Sequence, residues 1–238
     1  MRHLFFLFMG ISLNFFSVFA QTGIELGFRV LPQSTWLYNT NDYDAKIMVT
    51  DFLSSPKWAY GLNGGINFSD KFGLQSGIML SPQGQSYLIC SDTLVTCSNF
   101  EKRLSYFKVP VLLKFMTSSR NSLSLIHTIG LQYHRLIEAK HYDNGILINP
   151  PDSLSYQTID LYTDKGWDIS TSLGLLINTN EHMNIGIQLH IDYSLQDLEN
   201  KDFVLNPLST PNYYPNNRTA LHYFTAGIQF EINYIIGN

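Results

Sequence analysis

Eight stretches of this sequence alternate apolar and polar residues, and nearly all of their glycines fall on the polar side. The first is the clearest: Ile24, Leu26, Phe28 and Val30 interleave with Gly23, Glu25, Gly27 and Arg29. A period of two is the signature of a β-strand with one apolar face and one small or charged face. The alternating stretches run over residues 22–31, 58–68, 72–80 with a continuation to 87, 104–116, 123–139, 166–178, 183–195 and 221–234. Long and short connections between them alternate, beginning and ending with a long one. Tight turns fall at Ser69-Asp70-Lys71, 117–122 and 178–182, and polar loops at 32–57, 88–103, 140–165 and 196–220. A soluble sandwich has no reason to sort its loops by end. An up-and-down membrane barrel does.

The polar faces decide which way the strands point. Glu25, Arg29, Gln75, Lys108, Lys114, Gln132, Asp168, Gln188, His190, Asp192, Gln229 and Glu231 share one side with eight glycines. Unpaired buried charges cost several kcal/mol each, so this set makes no ordinary core. Facing the inside of a narrow barrel, acids and bases in similar number can pair. Eight strands enclose a lumen just wide enough for side chains to fill. The expectation is an all-β, eight-stranded antiparallel up-and-down transmembrane β-barrel. Its lumen is filled by a polar network of Glu25, Arg29, Lys108, Lys114, Asp168, His190, Asp192, Gln229 and Glu231. Closure of the first strand on the last predicts Glu25 and Arg29 near Gln229 and Glu231.

Bulk composition agrees. The chain has 238 residues, 14% charged and 14% aromatic, against about 25% charged in soluble proteins. Residues 1–20 read as a signal peptide, with basic Arg2 and His3, an apolar run and small Val18 and Ala20 before Gln21. The barrel domain then occupies 21–238, and outer-membrane lipid is its expected surroundings. Net charge is −4 without a basic block, which gives no footprint for nucleic acid. Strand-end aromatics suggest two girdles: Trp58, Tyr60, Tyr87, Tyr106, Tyr133, Trp167, Tyr193 and Tyr223 at the outer rim, and Phe68, Phe72, Phe115, Phe230 and Tyr234 at the inner.

Some positions leave alternatives open. Cys90 and Cys97 are the only cysteines; an exported chain permits a disulfide there, with a pair of free thiols as the alternative. Pro110 lies inside an alternating run and implies a bulge or kink. Strict parity puts His127 on the apolar face and Ile126 inside. Either His127 sits near the inner interface or a bulge resets the register.

The motifs resemble a family. GIELGFRV, YGLNGGINFSDKFGLQSGIMLSPQG, LSYFKVPVLLKFM, DISTSLGLLI and NIGIQLHIDYSL resemble the outer-membrane β-barrel domain proteins of Bacteroidota, which include PorT-like members. The resemblance implies an eight-stranded outer-membrane barrel and suggests a tie to protein secretion.

Chemistry is sparse. His127, His134 and His141 recur every seven residues, alternate faces on a strand and do not converge on a metal. His134 near the outer rim, with Ser86 or Ser170, is the arrangement a lipid-modifying hydrolase would need. His190 and Asp192 read as lumen pairing rather than a catalytic dyad. The run NTNDYD at 39–44 lacks the glycine and glutamate of a calcium loop. No catalytic residue, cofactor or metal is therefore expected. The loop aromatics Trp36, Tyr38, Tyr43, Tyr142, Tyr156, Tyr162, Tyr213 and Tyr214 suit contact with secretion or surface partners, or self-packing over the mouth. The reading is a non-enzymatic barrel acting as a scaffold or surface binder. Its alternatives are a lipocalin-like soluble carrier of an apolar ligand and a lipid-modifying enzyme.

Overall fold

The computed structural model describes residues 23–39, 49–53, 55–90, 97–118, 121–148, 157–200 and 220–236. The expected signal peptide, residues 40–44 of the 39–44 run and the loop tyrosines 43, 156, 213 and 214 lie outside them, as do the side chains of Tyr38 and Cys90. Ten strands form among the described residues: β1 (Ile24–Asn39), β2 (Val49–Leu53), β3 (Lys57–Asn67), β4 (Phe72–Cys90), β5 (Cys97–Met116), β6 (Leu123–Asp143), β7 (Ile146–Ile148), β8 (Lys165–Asn180), β9 (Met183–Ser194) and β10 (Leu221–Ile236). A 3-10 turn at Thr158–Leu161 is the one helical element among the described residues. No helix there is long and apolar enough to cross a membrane, which says nothing of a β-barrel.

Eight of the strands close a ring in the order β1-β3-β4-β5-β6-β8-β9-β10, each antiparallel to the next, and β10 returns to β1. The protein is an all-β, eight-stranded antiparallel up-and-down barrel. Ile24 pairs with Ile236, so both strand termini lie at the end that carries the three short turns. This is called the inner end below. The small strands β2 and β7 pair with β4 and β6 at the opposite, outer end.

Every barrel strand begins and ends close to its expected place at the inner end. At the outer end β1, β4, β5 and β6 run further. β1 continues through Pro32 to Asn39, and β4 and β5 stay paired up to Cys90 opposite Cys97. The expected loop at 88–103 is therefore mostly hairpin, with only residues 91–96 between the two strands. Part of the loop asymmetry is strand that projects past the barrel wall.

The prolines interrupt pairing without ending a strand. The β4–β5 partners lapse between Ser76–Val111 and Met79–Lys108, beside Pro110, yet the register is the same on both sides. Pro32 does the same between β1 and β10, where partners lapse between Val30–Phe230 and Gln33–Gly227. A proline has no N–H to give to the ladder, so it opens one side of the strand without shifting it. Of the bulge or kink expected at Pro110, no bulge forms. A real shift lies further out, where Ser105 faces Glu138 but Tyr106 faces Leu136, leaving Ile137 as the extra residue. His127 follows strict parity: it sits outside near the inner end, stacked on Phe115 with centroids 6.1 Å apart and 3.2 Å from the Thr171 hydroxyl.

Polarity divides the wall into two zones. In the lower zone the exterior is apolar: Leu26, Leu62, Leu113, Leu173 and Leu189 are each more than half exposed. The interior there is polar and buried. Toward the outer end the pattern reverses along β5 and β6, while Gln83 and Gln85 of β4 stay buried. Leu37, Leu104, Tyr106, Leu136, Ala139, Tyr162, Leu198, Leu221 and Tyr223 form a buried apolar cluster inside, while Glu101, Arg103, Glu138 and Lys140 lie on the exterior. At the inner end Met116, Ile126 and Leu176 close the lumen.

Candidate functional site

The lumen brings together the largest set of buried polar groups. All nine expected network residues lie inside it and are at most 2% exposed. They fall into three groups rather than one. At the inner end the Lys114 ammonium meets the Glu25 carboxylate at 2.5 Å, and Asn67 donates to the other Glu25 oxygen at 2.8 Å. Beside them Asn63 donates to Asn233 and Asn233 to Asn184, at 2.6 and 2.9 Å. This amide chain ties β3, β10 and β9 across their ladders.

Glu231 organises the middle. Gln188, Gln229 and Gln75 donate to it at 2.9, 3.2 and 3.4 Å, and Arg29 is its register partner on β1. Gly186 lies opposite on β9; a Cβ there would come within 2.5 Å of Glu231 Cγ. At Gly186, as at Gly27 beside Asn233, a neighbouring side chain folds across the strand, whereas at Gly61, Gly77, Gly130, Gly174 and Gly227 the nearest atom is a backbone carbonyl oxygen of the adjacent strand. The expectation for strand closure holds for Arg29, Gln229 and Glu231 but not for Glu25. The latter pairs in register with Ile235, six residues along β10 from Gln229, and finds Lys114 across the lumen instead.

The outer group is the densest. Lys108 lies 2.9 Å from Asp192 and 3.4 Å from Asp168, and Gln132 donates to both carboxylates at 3.1 Å. His134 Nδ1 is 2.8 Å from Asp168, and the Tyr223 hydroxyl donates to the same carboxylate at 2.5 Å. His190 Nε2 approaches Asp192 at 2.8 Å. The Lys108 ammonium also rests 4.9 Å from the Tyr223 ring centroid. Tyr223 shares the inward parity of Thr225, Gly227 and Gln229, and that was the signal by which it could have been found.

Three expected girdle members therefore point the other way: Tyr87, Tyr106 and Tyr223 are buried inside. Trp58, Tyr60, Trp167 and Tyr193 are exposed outside, as are Phe72, Phe230 and Tyr234 toward the inner end. The histidines also depart from simple alternation. The extra residue at Ile137 resets β6, so His134 and His141 both point inward despite their seven-residue spacing.

Above this group the apolar cluster covers the lumen. His141 Nε2 meets the Tyr162 hydroxyl there at 2.8 Å. Burial and nearby Lys102 push the His141 pKa down to about 3. Of the loop tyrosines, Tyr162 packs into the plug and Tyr142 supports Arg103, whose guanidinium lies 4.2 Å from its ring. On the same exterior Glu101 binds both Arg103 at 2.7 Å and Lys57 at 2.9 Å. Those hydrogen bonds, Arg103 first, outweigh partial desolvation and hold the Glu101 pKa at about 2.

Cys90 stands directly opposite Cys97 in the hairpin register, and no described cysteine is free. The bridge stays an expectation. No group of three His, Cys, Asp or Glu among the described residues is arranged to hold a metal.

No family model matches the chain, and no curated protein does. Among solved structures it is similar to the outer membrane protein OprG of Pseudomonas aeruginosa, at 13% identity over 92% of this chain and 97% of that one, with a TM-score of 0.44. It is also similar to Neisserial surface protein A, at 6% identity over 89% and 96%, TM-score 0.44. A third is the outer membrane protease OmpT of Escherichia coli, at 7% identity over 90% and 97%, TM-score 0.41. The architecture stands on the chain's own strand pairing rather than on these likenesses.

Proposed function

We propose that this protein is a non-enzymatic outer-membrane β-barrel, of the kind the Bacteroidota motifs resemble, that presents a rigid outer extension to secretion or surface partners. The observation that carries the membrane reading is the reversal of polarity along single strands. On β5, Lys108 and Lys114 point in and Val111 and Leu113 point out. On the same strand nearer the outer end, Leu104 points in and Arg103 points out. Water on both sides would favour one polarity throughout. Lipid around the lower zone and water around the upper explain both, because exposed apolar surface is favourable only where the solvent is hydrocarbon.

The closed lumen argues against transport, against an apolar cargo and against catalysis. Charged pairs fill it where a lipocalin-like carrier needs an apolar cavity. His134 and Asp168 have the contact of a catalytic pair and Ser170 is near in sequence, but all three are at most 1% exposed and lie beneath the apolar cluster. A hydrolase needs such groups within reach of a substrate. Function then falls to the outer extension, where β2, β7 and the projecting hairpins stand above the barrel.

Membrane fractionation with heat-modifiable gel migration tests the reading. The expected result is recovery with the outer membrane and a faster-migrating band before boiling. Recovery in the soluble periplasm without detergent overturns it. Thiol labelling before and after reduction tests the Cys90–Cys97 bridge, with labelling expected only after reduction.

A further inference from the structure

Reading outward along the exterior of the β6–β8 pair, the register partners are Leu125–Leu175, His127–Leu173, Ile129–Thr171, Leu131–Ile169, Tyr133–Trp167 and Arg135–Lys165. The series passes from apolar to aromatic to dibasic. Tyr133 and Trp167 contact edge to face with centroids 5.5 Å apart, and the two cations come one exterior position further out. Arg135 and Lys165 are both exposed, and like charges directly opposite on a ladder repel. The neighbouring cations differ. Arg103 and Lys140, also register partners, are each held by a carboxylate, Glu101 at 2.7 Å and Glu138 at 2.5 Å. Among the described residues no carboxylate forms an ion pair with Arg135 or Lys165, exposed Asp164 included.

We infer that Arg135 and Lys165 form a binding site for the phosphate of an outer-leaflet lipid headgroup, seated on the Tyr133–Trp167 step. A fork of arginine donors and a lysine point charge at one height suits a phosphate, and its negative charge relieves the repulsion between them. The aromatic pair marks the depth at which headgroups meet acyl chains. The phosphate belongs to a lipid rather than to free phosphate, because the apolar strip directly below continues the site into the acyl region. This inference rests on the membrane reading.

Full-length protein in detergent, titrated with lipid A and followed by native mass spectrometry, tests it. Arg135→Gln with Lys165→Gln is expected to weaken lipid A binding about thirtyfold, at the usual worth of two basic residues near a headgroup. Arg103→Gln with Lys140→Gln should weaken it far less. Dephosphorylated lipid A should bind wild type as weakly as lipid A binds the double variant, and millimolar inorganic phosphate should not displace lipid A. Equal binding by wild type and the 135/165 variant overturns the site. So does equal binding of the dephosphorylated lipid. Displacement by inorganic phosphate overturns the lipid as its ligand. Heat-modifiable migration of each variant reports folding separately, so failure of the barrel reading and failure of this site are distinguishable.

Discussion

The lower wall and the outer extension are built from the same strands, yet each is the other turned inside out. In the wall, Lys114 and Glu25 are buried as a pair while Leu113 faces outward. In the extension, Arg103 and Glu101 pair on the exterior while Leu104 is buried. The two pairs are chemically alike. What differs is what surrounds them, so one solvent cannot account for both zones. The difference teaches that burial in a barrel is a statement about the medium as much as about the sequence.

The pairs offer the sharpest way to break this comparison. Lys114→Met leaves Glu25 charged and out of water, and removal of one partner from a buried pair costs about 3–5 kcal/mol. Arg103→Met breaks an exposed pair and should cost less than about 1 kcal/mol. Urea unfolding in bilayers measures both; similar costs would mean that the two zones share one environment. Next comes a new charge on the exterior. Leu189→Arg, in mid-wall and 65% exposed, should cost about 2–4 kcal/mol in a bilayer. Ile137→Arg, also exposed but beyond the aromatic rim, should fall within about 0.5 kcal/mol of wild type.

A pH dependence separates the zones more finely. His141 is neutral in the folded plug, with a pKa of about 3 against an ordinary value of 6.5. Below pH 6.5 the unfolded segment binds a proton that the folded one does not, so stability of the plug is full above that pH and falls down to pH 3. The loss reaches about 2 kcal/mol by pH 5. Protection factors, corrected for the slower intrinsic exchange at lower pH, should therefore fall at 139–143 and 158–162 between pH 7 and 5, and His141→Phe should abolish that change. The smallest effect belongs to Glu101. Its depressed pKa contributes stability present above its unfolded value and lost as pH falls through about 2. Solvent screening keeps the contribution below about 1 kcal/mol, and 1 M salt should remove most of it.

Much of this was legible in the alternation itself. Strand number, inner-end boundaries and the inward set all follow from a period of two, which a barrel wall enforces because one residue of slip exchanges its two faces. The outer boundaries were harder for a physical reason. Past the rim the polarity inverts, so Leu104 inside and Arg103 outside look like the end of a strand when they are its continuation. Pro32 reinforced that impression, whereas the alternation was legible straight through Pro82 and Pro110. The Asn144-Gly145 turn joining β6 to β7, with φ of 48° and 81°, carries a strong hairpin signal that an emphasis on polar loops passed over. Cross-lumen pairing was not legible at all. Lys114 lies beside Gly73 and Thr128 in register, and Glu25 beside Gly65 and Ile235; only closure of the ring brings the two together.

The central claim is that the polarity reversal marks where lipid ends. Spin labels placed singly on the exterior at positions 113, 131, 189 and 228 in the wall, and at 103 and 138 in the extension, test it in bilayer-reconstituted protein. Collisions with oxygen should dominate at the first four sites, and collisions with a water-soluble nickel chelate at the last two. Nickel access that is equally high at all six would place the whole exterior in water and contradict the account.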